Sequence, residues 1–163
     1  MDFVIGVIGS GDTEKRHDQL ATEVGTLVAR HGAILVCGGL SGIMEAASRG
    51  AEQEGGTTIG ILPGSDKGEA NPHITFSIPT GLGVARNVLV VKTADVLVAL
   101  PGGPGTLSEI ALGLNTGKPV VDLGGWNIEG TLSASNANEA VLLALELGEA
   151  NRNVKAASVS NRK

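Results

Sequence analysis

The chain has 163 residues, a formal net charge of −5, 42% hydrophobic residues, 25 glycines and only 2% aromatics, with no tyrosine and one cysteine. That length suits one domain with room for a real core, and the composition reads as globular rather than disordered. The acidic balance leaves no broad basic surface for a nucleic-acid polymer, the scarcity of aromatics removes the stacking platforms single strands need, and a lone Cys37 excludes an internal disulfide, which fits a reducing cytoplasm.

In chain order, Phe3 to Ile8 reads as a first strand closed by Gly9-Ser10-Gly11, and it has no basic region before it, so no secretory signal is expected. Asp12 or Thr13 is placed to cap a helix to His31, with Leu20, Val24, Leu27 and Val28 on one face and Gly32 just past its end. Ala33 to Cys37 is a second strand, Gly38-Gly39-Leu40-Ser41-Gly42 a second glycine turn, and Ile43 to Gln53 a second helix that stops before Gly55-Gly56. Cys37, at a strand end, reads as a small core residue rather than a nucleophile. Thr57 to Leu62 is a third strand. Pro63 to Pro72 is a polar loop of lid or interface length, with Asp66, Lys67 and Glu69 on a solvated face. Ile74 to Ile78 is a fourth strand, Gly81-Leu82-Gly83 leads into a helix from Val84 to Thr93, and Val96 to Leu100 is a fifth strand. A helix from Leu107 to Asn115, a sixth strand from Val120 to Leu123 and an amphipathic helix from Ala137 to Leu147 follow, with a polar tail over Asn151 to Lys163.

No apolar run is long enough to span a membrane. Repeated strand–turn–helix units built from aliphatic strands imply an α/β fold. The expectation is a single doubly wound domain over residues 1–150, with a mostly parallel sheet of about six or seven strands and helices on both faces, and a tail over 151–163. Ligands bind such sheets at the carboxyl ends of the strands, where this chain places its glycine turns.

The most informative stretch is Pro101-Gly102-Gly103-Pro104-Gly105-Thr106-Leu107-Ser108-Glu109, between the fifth strand and its helix. Glycines there admit close backbone approach, and a helix start presents unpaired N–H groups to an anion. Glu109 has two readings: a carboxylate facing a cleft, or the far member of a capping box begun by Thr106 and turned onto its own helix terminus. Arg86, following another glycine turn, can reach the same sheet edge or lie on the surface; Asn87 and Asn115 are further polar candidates. Gly38 to Glu45 echoes Gly102 to Glu109 without gaps, either as a second anion cradle or as ordinary economy of strand-to-helix turns. Gly9-Ser10-Gly11 lacks the third glycine of a dinucleotide fingerprint, no nucleotide-hydrolysing phosphate loop is present, and metal-site spacing is absent, with His17, His31 and His73 scattered. No metal or resident cofactor is therefore expected.

Together these residues resemble the Rossmann-like LOG family, often labelled "possible lysine decarboxylase", over roughly Phe3 to Leu123. Its hallmark P-G-G-x-G-T-x-x-E is matched by Pro101 to Glu109, and its glycine turn leading into G-x-M by Gly38 to Met44. The resemblance implies a homodimer or higher homo-oligomer that cleaves the N-glycosidic bond of nucleoside 5′-monophosphates to a free base and ribose 5-phosphate. It assigns catalysis to Glu109 and Arg86, and ligand binding to Gly38, Gly39, Gly42, Met44, Gly102, Gly103, Gly105 and Thr106. The family's Arg-Lys pair is Arg86-Asn87 here. That departure, with Thr80 to Asn87 and Gly-Ile-Leu-Pro at Gly60 to Pro63, looks more like a subgroup that includes molybdenum-cofactor carrier proteins. The implied alternative is thus a non-catalytic carrier of a phosphorylated molybdopterin. Neither Lys92 nor Lys118 has a context suited to lysine decarboxylation.

Overall fold

The computed structural model describes residues 3–160, with side chains as far as Val154. The strands are β1 (Val4–Ile8), β2 (Ile34–Cys37), β3 (Thr58–Leu62), β4 (Phe76–Pro79), β5 (Val96–Ala99), β6 (Val120–Asp122) and β7 (Leu132–Ser133). The helices are α1 (Lys15–Arg30), α2 (Ile43–Gln53), α3 (Asn87–Thr93), α4 (Pro104–Asn115) and α5 (Ala137–Ser160). The strands form one sheet in the order β4-β3-β2-β1-β5-β6-β7, and every neighbouring pair is parallel. The strand order reverses between β1 and β5, the switch point where a doubly wound sheet opens a crevice.

Successive strand residues point to opposite faces, so the aliphatic runs fill two cores. Ile5, Val7, Leu35, Cys37, Val96 and Val98 pack beneath α1, α2 and α5. Ile8, Val36, Leu97 and Ala99 pack against Val90 and Val91 of α3 and Ile110 of α4. The expected fold class holds, with seven strands and an all-parallel sheet.

Several boundaries move for identifiable reasons. Neither Asp12 nor Thr13 caps α1, whose N-cap is Glu14 without a side-chain cap. Ser41 Oγ donates to Gly11 O at 2.7 Å, so the chain after β1 is held against the second glycine turn and the helix starts later. The helix expected from Val84 divides into a tight 3-10 turn, Gly83–Arg86, and α3. Helix α4 opens three residues early because Pro104 takes the first helical position, where its missing N–H costs nothing. β7 is a two-residue strand too short to show periodicity. Helix α5 runs on past Leu147 to Ser160; the remainder of the expected tail, 161–163, lies outside the described residues. Among the described residues no helix is long and apolar enough to cross a membrane.

Two glycines set the distance between α1 and α2. A Cβ on Gly25 would sit 1.9 Å from Ala47 O, and one on Gly50 would sit 2.0 Å from Thr22 O. This close pairing, reinforced by Arg49 Nη2 to Asp18 Oδ2 at 2.7 Å, brings the start of α2 against the end of β1, where Ile43 N donates to Ser10 O at 2.9 Å. Replacing Gly50 with Ala must therefore separate two backbones. The expected outcome is a loss of about 2–3 kcal/mol in urea-unfolding stability.

Candidate functional site

The carboxyl ends of β1, β2 and β5 open into a cleft of about 360 Å³. Its lining comes from the end of β1 and the Gly9-Ser10-Gly11 turn, from Gly38, Leu40, Met44 and Pro63, from Gly83, Val84, Arg86 and Asn87, and from the start of α4 with Glu109.

One wall is the start of α4. Gly103 is the N-cap in extended conformation, and the first helical bond of the motif runs from Leu107 N to Gly103 O at 3.0 Å. The N–H groups of Gly105 and Thr106 precede it in the first helical turn, where a helix offers no carbonyl partner, and they add to the positive end of the helix dipole. The capping box does not form. Thr106 is the third helical residue, not the N-cap, so Glu109 cannot complete a box with it. Glu109 is instead buried, 5% exposed, and faces the cleft.

The motif glycines divide into two kinds. A Cβ on Gly102 would lie 2.2 Å from Thr106 Oγ1, which is a packing reason for glycine. Gly103 and Gly105 have no such reason. Neither has a positive φ, a Cβ on Gly103 meets nothing within 4 Å, and one on Gly105 meets only Asn87 Nδ2 at 4.0 Å. Internal packing thus leaves open a space that two side chains would fill, beside unspent amides.

Opposite this wall lies Arg86, 8% exposed. Its Nη1 donates to Asn87 Oδ1 at 2.5 Å and its Nη2 to Gly38 O at 3.4 Å. Nη1 stands 3.9 Å from Glu109 Oε1, an ion pair without a hydrogen bond. Among the described residues, Arg86 Nε is the buried side-chain polar atom left without a partner. Gly38 makes this placement possible, since a Cβ there would be 2.5 Å from Arg86 Nη2 and 2.7 Å from Met44 Sδ. Asn87 joins Arg86 to the motif helix: its Nδ2 donates to Ser108 Oγ at 3.1 Å and to Gly105 O at 3.4 Å.

Burial dominates the electrostatics. It pushes the Glu109 carboxyl up from 4.5 to about 7, only partly opposed by Arg86. It pulls the Arg86 guanidinium below its ordinary value, against the opposing pull of Glu109. A carboxyl poised near neutrality beside an incompletely bonded cation and two free amides can bind an oxyanion and exchange a proton.

Of the candidate site residues singled out from the sequence, Arg86, Asn87, Glu109, Gly38, Met44, Gly103, Gly105 and Thr106 line one cleft. Gly39 and Gly42 do not. They take φ of +74° and +67°, and side chains there would strike Leu62 and Gly60, or Gly11 and Ser10. Gly102 borders a neighbouring polar depression with Asp12, Glu14 and His17. Asn115 stands at the far end of α4. The echo between the two Gly-Gly turns is one of connectivity: both face the cleft, but at the first the Ile43 amide is spent on Ser10 O. Sequence reasoning missed Ser10, Leu40, Pro63 and Val84 as lining residues. Ser10 and Leu40 had a positional signal, each lying within a glycine turn that ends a strand, and Pro63 and Val84 lie in the stretches that resemble the carrier-like subgroup.

The raised carboxyl has a thermodynamic signature. Folded protein retains the Glu109 proton up to about pH 7, whereas an unfolded glutamate releases it near 4.5. The folded state binds more protons between those values, so this group's contribution to stability falls as pH rises through that window. Glu109→Gln removes the effect. The stability of the variant relative to the parent is expected to rise by roughly 2–3 kcal/mol from pH 4.5 to pH 8, measured by urea unfolding.

Comparisons with known proteins agree with this architecture. The SLOG cluster4 family pattern matches residues 2–154. A molybdenum cofactor binding protein from Rippkaea orientalis superposes with a TM-score of 0.84 at 34% identity, covering 90% of this chain and 97% of that one. The molybdenum cofactor carrier protein of Chlamydomonas reinhardtii gives 0.82 at 38% identity, covering 90% and 98%. A cytokinin riboside 5′-monophosphate phosphoribohydrolase from Rhodococcoides fascians is 35% identical over 100 residues, 58% of this chain and 50% of that protein. The chain therefore spans about half the length of that hydrolase.

Proposed function

The chain belongs to the SLOG cluster4 family, and on that premise we propose that its cleft binds a phosphorylated, nucleotide-like small molecule. The observation that carries this reading is the pair of glycines, Gly103 and Gly105, whose missing side chains serve neither backbone conformation nor internal packing. They leave room for a phosphate to lie against the amides of Gly103, Gly105 and Thr106 at the positive end of α4. The bare Nε of Arg86 supplies a charge-assisted donor to the same group.

For a nucleoside 5′-monophosphate, this arrangement supports hydrolysis of the N-glycosidic bond. Ionised in about half the molecules near neutral pH, Glu109 stabilises the oxocarbenium-like sugar carbon and takes a proton from water. The water oxygen bonds to C1′, the C1′–N bond breaks, and the base leaves with its electron pair and a proton from solvent. Arg86 holds the phosphate or the departing group.

A second reading, a non-catalytic carrier of a phosphorylated molybdopterin, has its own support. Nη1 of Arg86 is bonded to Asn87 and stands 3.9 Å from Glu109, so the residue after Arg86 ties the cation to the motif helix rather than to the acid. The identity to named carrier and cofactor-binding proteins points the same way. In either role the protein works in the cytoplasm, in keeping with its single, buried Cys37.

A second copy of the chain is the proposed partner. Ile59 and Ile61 of β3 face the core beneath α3 and α4, and their register partners Phe76 and Ile78 carry the same face to the sheet edge, where they are exposed. Leu82, Val84, Val88 and Leu107 are exposed on nearby turns and helices, Val84 at 86%. An apolar surface continuous with a core is a natural homodimer interface. Light scattering is expected to give a dimer or larger homo-oligomer, and the pair Ile78→Asp and Val84→Asp a folded monomer.

Two measurements test the ligand. Gly105→Ala is expected to leave thermal stability unchanged or raise it, by up to about 1 kcal/mol, because alanine is the better helix former. It is expected to weaken phosphate-ester binding at least about tenfold by filling the cradle. In a panel of nucleoside 5′-monophosphates, release of free base that falls at least about 100-fold in Glu109→Ala supports hydrolysis. Binding of molybdopterin without any base release supports the carrier, and absence of both binding and release overturns both readings.

A further inference from the structure

Resting on the phosphate-binding reading, we propose that Asn87 is a positioning residue, which holds the Arg86 guanidinium off the Glu109 carboxyl and so keeps that cation available to a phosphate. Asn87 is the first residue of α3 and lines the cleft while only 7% exposed. Its Oδ1 accepts from Arg86 Nη1 at 2.5 Å, and its Nδ2 donates to Ser108 Oγ at 3.1 Å and to Gly105 O at 3.4 Å. These partners fix which way the amide points, since a guanidinium only donates and a carbonyl only accepts.

Arg86 and Glu109 are both buried, yet Nη1 and Oε1 stand 3.9 Å apart. A charge-assisted hydrogen bond between them needs about 2.7–2.9 Å, so a movement of about 1 Å would join them. Two tethers oppose that movement: Nη1 is bonded to Asn87, and Nη2 is bonded more loosely to Gly38 O at 3.4 Å. Closure would spend Nη1 on the acid, favour its ionised form, and leave a neutral pair where a phosphate needs a cation. Held apart, Arg86 keeps its bare Nε and an unspent charge, while burial keeps Glu109 largely protonated below about pH 7.

The same bonds could serve only to stitch α3 to α4, and the sign of two substitutions separates the roles. Among the described residues, the titratable groups facing Glu109 are Arg86 and the Cys37 thiol at the end of β2, which burial keeps neutral. Arg86 therefore sets the direction of any change. Asn87→Ala frees Nη1 to close on Glu109, which lowers the proton affinity of the acid. Asn87→Asp keeps an acceptor for Nη1 and adds a negative charge beside the pair, which raises it. Water admitted by a loosened helix contact would lower it in both variants.

Carbon-13 NMR of the glutamate-labelled full chain follows the Glu109 carboxyl, assigned by its loss in Glu109→Gln, and calorimetry at pH 6 follows ribose 5-phosphate. In Asn87→Ala the Glu109 midpoint is expected to fall by at least about one pH unit, and ribose 5-phosphate to bind at least about tenfold more weakly. In Asn87→Asp the midpoint is expected to rise above that of the parent. If Asn87→Ala leaves either quantity unchanged, or if the midpoint fails to rise in Asn87→Asp, the positioning role is overturned and the phosphate site stands. Should Asn87→Ala not fold, the sign in Asn87→Asp decides alone. If ribose 5-phosphate does not bind the parent chain, the phosphate-binding reading falls, and the positioning role with it.

Discussion

A guanidinium taken out of water must find partners for its N–H groups or be drawn toward something that supplies them. Arg86 is buried, its Nε is bare, and its nearest carboxylate stands at 3.9 Å. Much of the site follows from accommodating that one charge. Gly38 has no side chain because Arg86 and Met44 fill the space where a Cβ would go. Asn87 turns its oxygen toward Arg86 and its nitrogen toward α4, so cation and helix terminus form one unit. Glu109 shares the cleft but makes no hydrogen bond to Arg86, and burial therefore decides its protonation. An incompletely satisfied cation in the midst of a well-packed switch point is the local inconsistency expected where a structure serves a ligand.

Asn87 bears on both proposed readings, because it touches the cation and the helix start together. Its Oδ1 accepts from Arg86 and its Nδ2 donates to Ser108 Oγ and Gly105 O, so the residue after Arg86 is bonded to both walls of the cleft. On the proposed phosphate-binding reading, capture draws on the helix start, its glycines and Arg86, and hydrolysis draws on Glu109 as well.

Much of this was legible from the residues. Aliphatic runs long enough for strands, separated by glycine turns and helical periodicity, gave the parallel sheet and both of its helix layers. Eight of the candidate site residues singled out converge on one cleft because strand-to-helix turns of a doubly wound sheet share one edge. The orientation of Glu109 was not legible, since the capping-box pattern and the cleft-facing pattern are the same string. Pro104 settles it by starting the helix two residues before Thr106. Leu40, Pro63 and Val84 carry no chemical signature, and only tertiary placement makes them a wall. β7 was invisible because two residues show no period, and the asymmetric layering, three helices on one face and two on the other, is a property of the whole chain.

The cleft is assembled from turns near residues 10, 40, 85 and 105, each at the end of a different element. No contiguous stretch of chain contains it, and all the sheet pairings that hold those turns are long-range and parallel, the kind that form late. A ligand that fits the completed cleft has nothing to recognise in a partly folded chain. The free energy of binding of such a ligand therefore adds to the stability of the native state alone, by RT ln(1 + [L]/Kd), so a filled cleft opposes unfolding of all four turns at once.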